Sequence, residues 1–474
     1  MLLRNRGIIR PGGAGARWGA RWLGSAWLLL SLTPGCRCSR EHPDGETVKA
    51  SSPPLDAGMK QHCAAEPTPA FRLQAGARPD PIVEAVGSDL PFSVELGSGV
   101  LTDGRYAVSY LRGQSAQITV LSEQLQQVQH IDLGKLHGDP PPPRLAADGK
   151  ALLIAAPTSD AGGGALQLMR WAAGELTRGA NLHEDDDESK AFDLSLSGDT
   201  ALLTWDAWNE GRAASQILAV TVDPHEPNLV SSPVVLSGDS TDAESPRVVP
   251  RQGGFVLGWI ANGAQQRPPA AEVAPVPPAT TGRTVTGTAT DVEQAEHLHA
   301  VGDRARWIEL LPLDARGSPV GAPLKVGGAT SQVVGFDLTS GDDGSILVTW
   351  LEQRSVVGVE GGMVFVAKVD ASGQVQTHSV RDSELGAGLP QFVTDAAQNS
   401  AGGTQQPRVA WLAAVDVRER LLLGALSRLP PDPETLEGES ALQNASIVTR
   451  SGDRVLVARP RGRDLELSLV GCKF

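Results

Sequence analysis

The segment Val333–Val369, VVGFDLTSGDDGSILVTWLEQRSVVGVEGGMVFVAKV, decides the fold that this sequence predicts. It predicts a short strand, a tight Asp/Gly turn at 341–344, an apolar strand that ends near Trp350, a loop and a further strand. The apolar strand is nearly continuous in hydrophobic residues, whereas a half-exposed strand would alternate. We therefore expect it to be buried on both faces, between neighbouring sheets, with Trp350 in the core rather than in contact with a ligand.

Weaker copies of this unit recur along the 474 residues. A turn glycine marks each copy, and successive glycines are 45, 49, 56, 90, 58 and 50 residues apart. The gap of 90 contains 264–300, which is rich in Pro, Ala and Thr and which we expect to be a disordered insertion. Strand-length apolar runs at this period predict an all-β fold, a seven-bladed β-propeller, with six or eight blades or tandem β-sandwiches as alternatives. The turn glycines are Gly104, Gly149, Gly198, Gly254, Gly344, Gly402 and Gly452.

The final copy is incomplete, and this predicts how the ring closes. It contains three predicted strands, Ala445–Arg450, Arg454–Ala458 and Asp464–Val470, before the sequence given ends. Propellers commonly complete such a unit with a strand from the other end of the chain. The candidates for that strand are Ala70–Leu73 and Ile82–Val86.

The first residues predict export. Residues 1–21 are rich in Arg, and Trp22–Leu32 is an apolar run of eleven residues that ends shortly before Cys36. Such a run is too short for a membrane-spanning helix, which needs about 20 residues. The arrangement resembles the signal of bacterial lipoproteins, which implies a signal peptide at 1–35, a lipid on Cys36 and, because Arg37 replaces the retaining Asp, the outer membrane. Ordinary secretion and an uncleaved anchor are the alternatives.

Export implies an oxidising compartment for the cysteines. In an antiparallel pair the end of the third strand lies beside the start of the fourth, and Cys472 and Cys63 flank those two ends. We therefore expect a Cys63–Cys472 disulfide. Cys38–Cys63 and Cys38–Cys472 are the alternatives.

The composition divides the chain and limits its partners. We expect a disordered, Pro-, Ala- and Ser-rich tether at 36–69 and the propeller at 70–474. The formal net charge is −14, and because the first 35 residues hold five Arg and no acid, the remainder is more acidic still. Nucleic acid requires a basic footprint, so no nucleic-acid partner is expected. Contact with a membrane is expected through the lipid anchor only, and no cofactor or metal is predicted.

Acidic segments are predicted to share one face of the ring. In a propeller the fourth-to-first connections and the second-to-third loops lie on the same side, which places 183–190, 238–245 and the 264–300 insertion together. We interpret this face as an acidic interaction surface for an unidentified protein or glycan partner. Solvated polar loops are the alternative. The residues of this predicted surface are Glu184, Asp185, Asp186, Asp187, Asp239, Asp242 and Glu244.

No catalytic residue is predicted, because the sequence lacks HExxH, GxSxG and phosphate-cradling motifs. The sequence favours a binding or scaffolding module at the cell envelope. The alternative is a hydrolase or lyase that acts on carbohydrate or peptide at the central mouth of the propeller. That alternative requires carboxylates, Arg or His to converge there from several blades.

Overall fold

In the computed structural model, the described residues run from Cys63 to Cys472 with gaps, and all lie in the compact unit Asp56–Phe474. None of these described residues belongs to a helix that is long and apolar enough to cross a membrane. The predicted signal, Cys36, Cys38 and the 264–300 insertion lie outside them. The described ranges are 63–65, 70–74, 96–112, 115–136, 141–149, 151–158, 165–183, 191–209, 211, 214–239, 241–263, 305–328, 332–341, 343–356, 359–383, 390–393, 408–415, 418–425, 433–435, 446–451, 454–461 and 464–472.

The described residues form β-strands joined by turns. The strands are β1 (Cys63–Ala65), β2 (Phe71–Gln74), β3 (Leu96–Thr102), β4 (Arg105–Arg112), β5 (Ser115–Leu121), β6 (Gln127–Lys135), β7 (Arg144–Ala147), β8 (Ala151–Thr158), β9 (Ala165–Ala172), β10 (Glu175–His183), β11 (Phe192–Ser197), β12 (Thr200–Asn209), β13 (Ala214–Val222), β14 (Val234–Val235), β15 (Thr241–Arg251), β16 (Gly254–Gly263), β17 (Arg306–Asp314), β18 (Leu324–Val326), β19 (Val333–Ser340), β20 (Ile346–Val356), β21 (Val359–Val369), β22 (Val375–Ser383), β23 (Gln391–Val393), β24 (Arg408–Val415), β25 (Arg418–Ala425), β26 (Pro433–Thr435), β27 (Ser446–Ser451), β28 (Arg454–Arg461) and β29 (Asp464–Cys472).

Consecutive strands pair into antiparallel sheets, and the regular four-stranded sheet occurs six times, a number given above as an alternative. These are sheet 1 (β3–β6), sheet 2 (β7–β10), sheet 3 (β11–β14), sheet 4 (β15–β18), sheet 5 (β19–β22) and sheet 6 (β23–β26). The closing sheet is irregular, with five strands: β27, β28 and β29, and β1 and β2 both paired with β29. The first strand of each sheet contacts the first strand of the next, and β27 contacts β3, so the first strands surround a central axis. The prediction of an all-β propeller is confirmed.

The closing sheet joins the two ends of the described chain. β2 pairs with β29 from Phe71 opposite Leu467, so the strand predicted at Ala70–Leu73 is confirmed, and the rival segment 82–86 lies outside the described residues. β1 pairs with β29 as well and sets Cys63 opposite Cys472. The sheet therefore starts earlier than the predicted boundary at residue 70, since pairing with β29 orders a segment that has little strand propensity of its own.

The core lies between the sheets, and the second strands carry most of it. In β16 the residues from Gly254 to Ala261 are all buried, as the continuous apolar run predicts. Trp205, Trp259 and Trp350, at equivalent positions of three sheets, are 3%, 0% and 1% exposed. These tryptophans are core residues, because each second strand has a neighbouring sheet on both sides.

The inner strand β3 reaches its neighbours through glycine. A Cβ atom on Gly97 would lie 2.1 Å from the Pro143 carbonyl oxygen beside β7, and one on Gly99 would lie 2.0 Å from Cγ1 of Val448 in β27. Ser109 Oγ donates to the same Pro143 oxygen at 2.6 Å. The ring therefore closes on both sides of β3 only because these two positions lack a side chain.

Candidate active site at the ring axis

The antiparallel pairing determines which loops share a face. Each first strand begins on the face that carries the fourth-to-first connections, and the second-to-third loops return to that same face. We call this face the connection face. The predicted insertion leaves it between β16 and β17, which are a second and a third strand. The connection from β10 to β11 belongs to it too, but Glu184, Asp185, Asp186 and Asp187 lie outside the described residues.

The described members of the predicted acidic surface differ in their environment. Asp239 is exposed in the connection that precedes β15. Asp242 and Glu244 instead lie within β15, which begins earlier than the predicted loop allowed. Asp242 Oδ1 accepts a hydrogen bond from the Ser215 N–H at 2.7 Å, and Glu244 forms an ion pair with Arg306. These two carboxylates therefore join β15 to β13 and β17, besides lying on the connection face.

Three charged residues come to the axis from three successive inner strands. Asp193 in β11 and Arg247 in β15 each lie four residues, and Asp337 in β19 three residues, before the last pair of their hairpin. They therefore lie within about one residue of the same depth along the axis. All three are half-buried. We call Asp193, Arg247 and Asp337 the axial triad.

Side chains alternate between the two faces of a strand, and in each inner strand the triad residue is on the face towards the next sheet around the ring. Phe192 and Leu194, which flank Asp193, pack with residues of sheet 2, so Asp193 points towards sheet 4. By the same alternation, Arg247 points towards sheet 5 and Asp337 towards sheet 6. The two carboxylates thus reach the edge of the following inner strand, whereas Arg247 Nη1 donates to the Pro246 carbonyl oxygen of its own strand at 3.1 Å.

The two carboxylates accept backbone hydrogen bonds from those following strands. Asp193 Oδ2 accepts from the Val248 N–H at 2.9 Å, and Asp337 Oδ2 accepts from the Phe392 N–H at 2.7 Å. Asp337 Oδ1 also accepts from the Leu338 N–H at 2.9 Å. These bonds fix the carboxylates in place and connect adjacent sheets at the axis.

The environment of Asp337 disfavours its ionised form. Burial raises the pKa of the Asp337 carboxyl above its usual value. The Phe392 N–H, the charge of Arg247 and the Leu338 N–H oppose that rise in pKa, whereas the charge of Asp193 adds to it. Burial is the largest of these influences, so the pKa of the Asp337 carboxyl stays raised in the folded protein.

A bulge in β15 positions the arginine. The register between β15 and β16 shifts between Glu244 and Arg247, and Ser245 within the bulge has a left-handed φ of 56°. Asp206, which is 2% exposed, accepts hydrogen bonds from the Ser245 N–H at 2.9 Å and from the Ala191 N–H at 3.0 Å. Bulges and left-handed non-glycine residues re-aim side chains and concentrate at functional sites. Here the bulge immediately precedes Arg247, and Asp206 holds it.

None of these residues was predicted from the sequence, although a signal was present. Phe192-Asp193-Leu194-Ser195 and Phe336-Asp337-Leu338-Thr339 place the same Phe-Asp-Leu-hydroxyl motif in two first strands. A buried strand with a charged residue at one repeated position indicates a charged axis. Arg247 and Asp206 carry no comparable signal, because the bulge that involves them is visible only in the structure.

The axial triad is not a metal centre of the usual kind. Within the described ranges, no group of three or more His, Cys, Asp or Glu side chains could hold a metal ion. Arg247 lies on β15, the inner strand between those of Asp193 and Asp337, and this order of charges suits proton transfer and the binding of polar groups.

Comparisons with known proteins support the fold. No protein-family model matches the chain, and no curated protein matches its sequence. Among solved structures, the polysaccharide lyase Uly1 is similar with a TM-score of 0.50 at 8% identity, over 88% of this chain and 100% of that chain. The β-propeller domain of the trilobed protease from Pyrococcus furiosus gives 0.43 at 10% identity, over 81% and 94%. The Penicillium chrysogenum α-L-arabinanase complexed with arabinobiose gives 0.39 at 9% identity, over 69% and 92%. At these identities the likeness concerns the fold alone.

Proposed function

We propose that this protein is a hydrolase or lyase acting on carbohydrate or peptide, with its active site at the central mouth of the propeller. The axial triad is the observation that carries this proposal. Two carboxylates and an arginine lie at similar depth on three successive inner strands, each from a different sheet. The propeller neighbours named above include a lyase and an arabinanase, which is compatible with this class of activity.

Each member of the triad has a role in the proposed chemistry. Asp337, whose pKa is raised by burial, donates a proton to the oxygen or nitrogen of the leaving group. Asp193 accepts a proton, either from an attacking water in hydrolysis or from the substrate carbon in elimination. Arg247 binds the polar group on which negative charge develops. Both reactions need one protonated and one ionised group, and two carboxyl groups in different environments are a general way to obtain that pair.

The test is a substrate screen with a matched pair of variants. The wild type is incubated with a panel of polysaccharides and with casein, and new reducing ends, new C=C absorbance and released peptides report hydrolysis, elimination and proteolysis. We expect one of these products, and Asp337→Asn should lower its rate about 10²- to 10⁴-fold. Asp199→Asn, an exposed turn residue of sheet 3, should leave the rate unchanged. An inactive wild type, or an Asp337→Asn protein as fast as the wild type, would contradict the proposal.

We also propose how many blades the propeller has and how its ring is closed. We infer that the closing sheet is a blade in its own right, which gives seven blades when it is added to the six regular sheets. The contacts of β27 with both β23 and β3 support this count. The register that sets Cys63 opposite Cys472 supports a disulfide between them, because opposed residues of antiparallel strands have Cα atoms about 4.5–5.5 Å apart, within disulfide range. Free thiols on both cysteines, detected by mass spectrometry of the exported protein, would exclude the bond.

We propose the cellular location of the protein from its first residues. The apolar run before Cys36 supports export with a lipid on that cysteine, at the outer membrane of the cell envelope, and Arg37 supports that destination. Metabolic labelling with a fatty acid analogue tests it. Label should enter the wild type and be absent from Cys36→Ser, whereas an unlabelled wild type would contradict the anchor.

A further inference from the structure

Arg247 differs from the other members of the axial triad in what it bonds to. Among the described residues, its guanidinium makes one hydrogen bond, from Nη1 to the Pro246 carbonyl oxygen at 3.1 Å, and no ion pair. Arg306, which is also half-buried, pairs with Glu244. A half-buried guanidinium without a counter-charge is unfavourable, since charged groups are rarely buried unless they are paired.

The other nitrogen atoms of Arg247 are open to solvent. Within the described ranges, Nε of Arg170 and Nε of Arg306 are buried without a hydrogen-bond partner, but no atom of Arg247 is. Because Nε and Nη2 of Arg247 donate to no described residue, these two atoms are exposed beside the axis. The guanidinium therefore offers donors to a ligand.

The two carboxylates of the triad are bonded to backbone N–H groups instead of the arginine. Asp337 accepts from the Phe392 and Leu338 N–H groups, one on each oxygen, and Asp193 Oδ2 accepts from the Val248 N–H. These donors offset part of the negative charge of each carboxylate. Within the described residues, the arginine is thus the member of the triad whose charge is least compensated by direct contacts.

A second arginine brings positive charge to the same layer. Arg144 in β7 lies three residues before the last pair of its hairpin, as Asp337 does, and it is half-buried. Ala146 packs with residues of sheet 3, so by alternation Arg144 is on the face towards that sheet. Four successive inner strands thus carry Arg, Asp, Arg and Asp, and the formal charges of this layer balance. An anion that approaches Arg247 does not meet a purely acidic layer.

The backbone just before Arg247 is held in an unfavourable conformation. Ser245 has a left-handed φ of 56°, and its N–H donates to Asp206, which is 2% exposed. Strained residues other than glycine persist where the surrounding structure fixes them, and they concentrate at ligand sites. The strain here adjoins the one member of the triad whose donors are open to a ligand.

The strand edges at the axis favour a sugar chain over a peptide as that ligand. A peptide commonly binds by adding a strand to a sheet edge, through free backbone N–H and C=O groups. In β15 the Val248 N–H is already bonded to Asp193, and in β23 the Phe392 N–H is bonded to Asp337. Side chains rather than a free backbone edge are therefore presented to the ligand, which suits the hydroxyl and acidic groups of a sugar chain.

From these observations we propose that Arg247 binds an oxyanion of the substrate, the carboxylate of a uronic acid or the sulfate of a sulfated sugar, so that the polymer cleaved at the axis is an anionic polysaccharide. The planar fork of guanidinium N–H groups matches the paired oxygens of both anions. This inference deepens the proposed function and rests on it for the cleavage of the polymer.

Affinity gels test the inference with polymers that differ in charge. Native gels that contain polygalacturonate, carrageenan, neutral galactan or poly-L-glutamate report the retardation of the wild type, Arg247→Gln, Arg247→Lys and Arg251→Gln. We expect retardation by polygalacturonate, a carboxylate polymer, or by carrageenan, a sulfate polymer, and the polymer that retards the protein identifies the oxyanion. Affinity should fall about 10-fold or more in Arg247→Gln and be partly retained in Arg247→Lys, which keeps the charge but loses the fork. Arg251→Gln, which changes an exposed arginine at the turn end of the same strand, should bind as the wild type does.

Competition makes the same test without a variant. Free galacturonate or sulfate should release the retarded wild type, whereas galactose should not. Retardation by galactan or poly-L-glutamate alone, retardation by none of the polymers, or release by galactose as effective as release by the anions would overturn the inference. Unchanged retardation of Arg247→Gln would overturn it as well.

Activity separates this inference from the proposed function. Binding of an anionic polysaccharide that depends on Arg247, without any cleavage, would uphold the oxyanion site and contradict the enzyme. Cleavage of a neutral polymer or of casein, slowed by Asp337→Asn, would uphold the enzyme and overturn the oxyanion site. If an anionic polysaccharide is cleaved, Arg247→Gln should raise KM, because the oxyanion is bound before the reaction starts.

Discussion

The inner strands β3 and β15 are both first strands of their sheets, but β3 makes close contacts with its neighbours and β15 carries charge. β3 carries Gly97 and Gly99, and the neighbouring inner strands approach so closely that a Cβ atom at either position would clash. Both strands have a register shift, but in β15 the shift includes a left-handed Ser245 and precedes Arg247, and the neighbouring inner strands contribute Asp193 and Asp337. One arc of the ring is therefore built for contact between sheets and another for charge. The site belongs to the second arc, not to the ring as a whole.

The largest effect on stability should come from β3, where Gly97 lies in close contact with the neighbouring sheet. Gly97→Ala places a Cβ atom 2.1 Å from a backbone oxygen and 2.1 Å from Ser109 Oγ. We expect the free energy of unfolding to fall by about 2–3 kcal/mol, as in other overpacked sites, measured by chemical denaturation. Gly263→Ala is the matched control, because a Cβ atom there has nothing within 4 Å. Equal stability of the two variants would show that the inner strands have room that the structure does not contain.

A substitution of Asp206 tests whether this residue supports the bulge of β15 that precedes Arg247. Asp206→Ala leaves the Ala191 and Ser245 N–H groups without their carboxylate acceptor. We expect a loss of about 1–2 kcal/mol in the free energy of unfolding and, since the bulge that aims Arg247 relaxes, a loss of activity in protein that is still folded. Asp199→Ala, at an exposed turn, should change neither quantity. A destabilised Asp206→Ala protein with full activity would separate the bulge from the site.

The pH dependence of stability should reflect the raised pKa of the Asp337 carboxyl. Its pKa is raised in the folded protein, so between the unfolded and the folded value the native state binds more protons than the unfolded chain. The stability that the carboxyl contributes is therefore full at low pH and falls as the pH rises through the raised pKa. Compared with Asp337→Asn, the wild type should lose free energy of unfolding as the pH is raised from about 4. A wild type that gains stability over the variant in that range would contradict the assignment.

The smallest effect on stability should come from the turn between β19 and β20, in the hairpin that contains Asp337. Asp343 accepts from Lys368 Nζ at 2.6 Å, and this contact and its bond to Ser345 lower the pKa of the Asp343 carboxyl below its usual value. Its contribution is thus present above the usual pKa and lost as the pH falls through the lowered one, opposite to Asp337. Because the pair is exposed to solvent, Asp343→Asn should cost about 0.5 kcal/mol or less at neutral pH. Urea unfolding at low and high salt measures it, and a loss well above 1 kcal/mol would be inconsistent with an exposed pair.

The sequence predicted what depends on pattern within one unit. Apolar runs located the second strands, and the incomplete final unit located the closing strand near Phe71. Turn chemistry located the hairpin at Gly344, where the Gly341 N–H donates to the Ser345 carbonyl oxygen at 2.8 Å. Each of these features is local, or pairs two ends whose incompleteness is visible in the sequence.

The candidate site could not be predicted in the same way, because its contacts join residues about one repeat apart. Asp193 and Val248, like Asp337 and Phe392, are separated by 55 residues, and Asp206 and Ser245 by 39. Register shifts occur in β3, β19 and β27 as well as in β15, so a shift alone does not identify the charged positions, which depend on these contacts between sheets. The repeated Phe-Asp-Leu motif was readable, but its meaning required the ring.

The most direct measurement is a crystal structure of Asp337→Asn soaked with oligosaccharides of the polymer that the wild type degrades. We expect a sugar chain to lie across the connection face, with its scissile bond between residues 193 and 337 and within hydrogen-bond distance of Arg247. A chain bound at the outer strands, or on the opposite face beside the Gly344 turn, would contradict it.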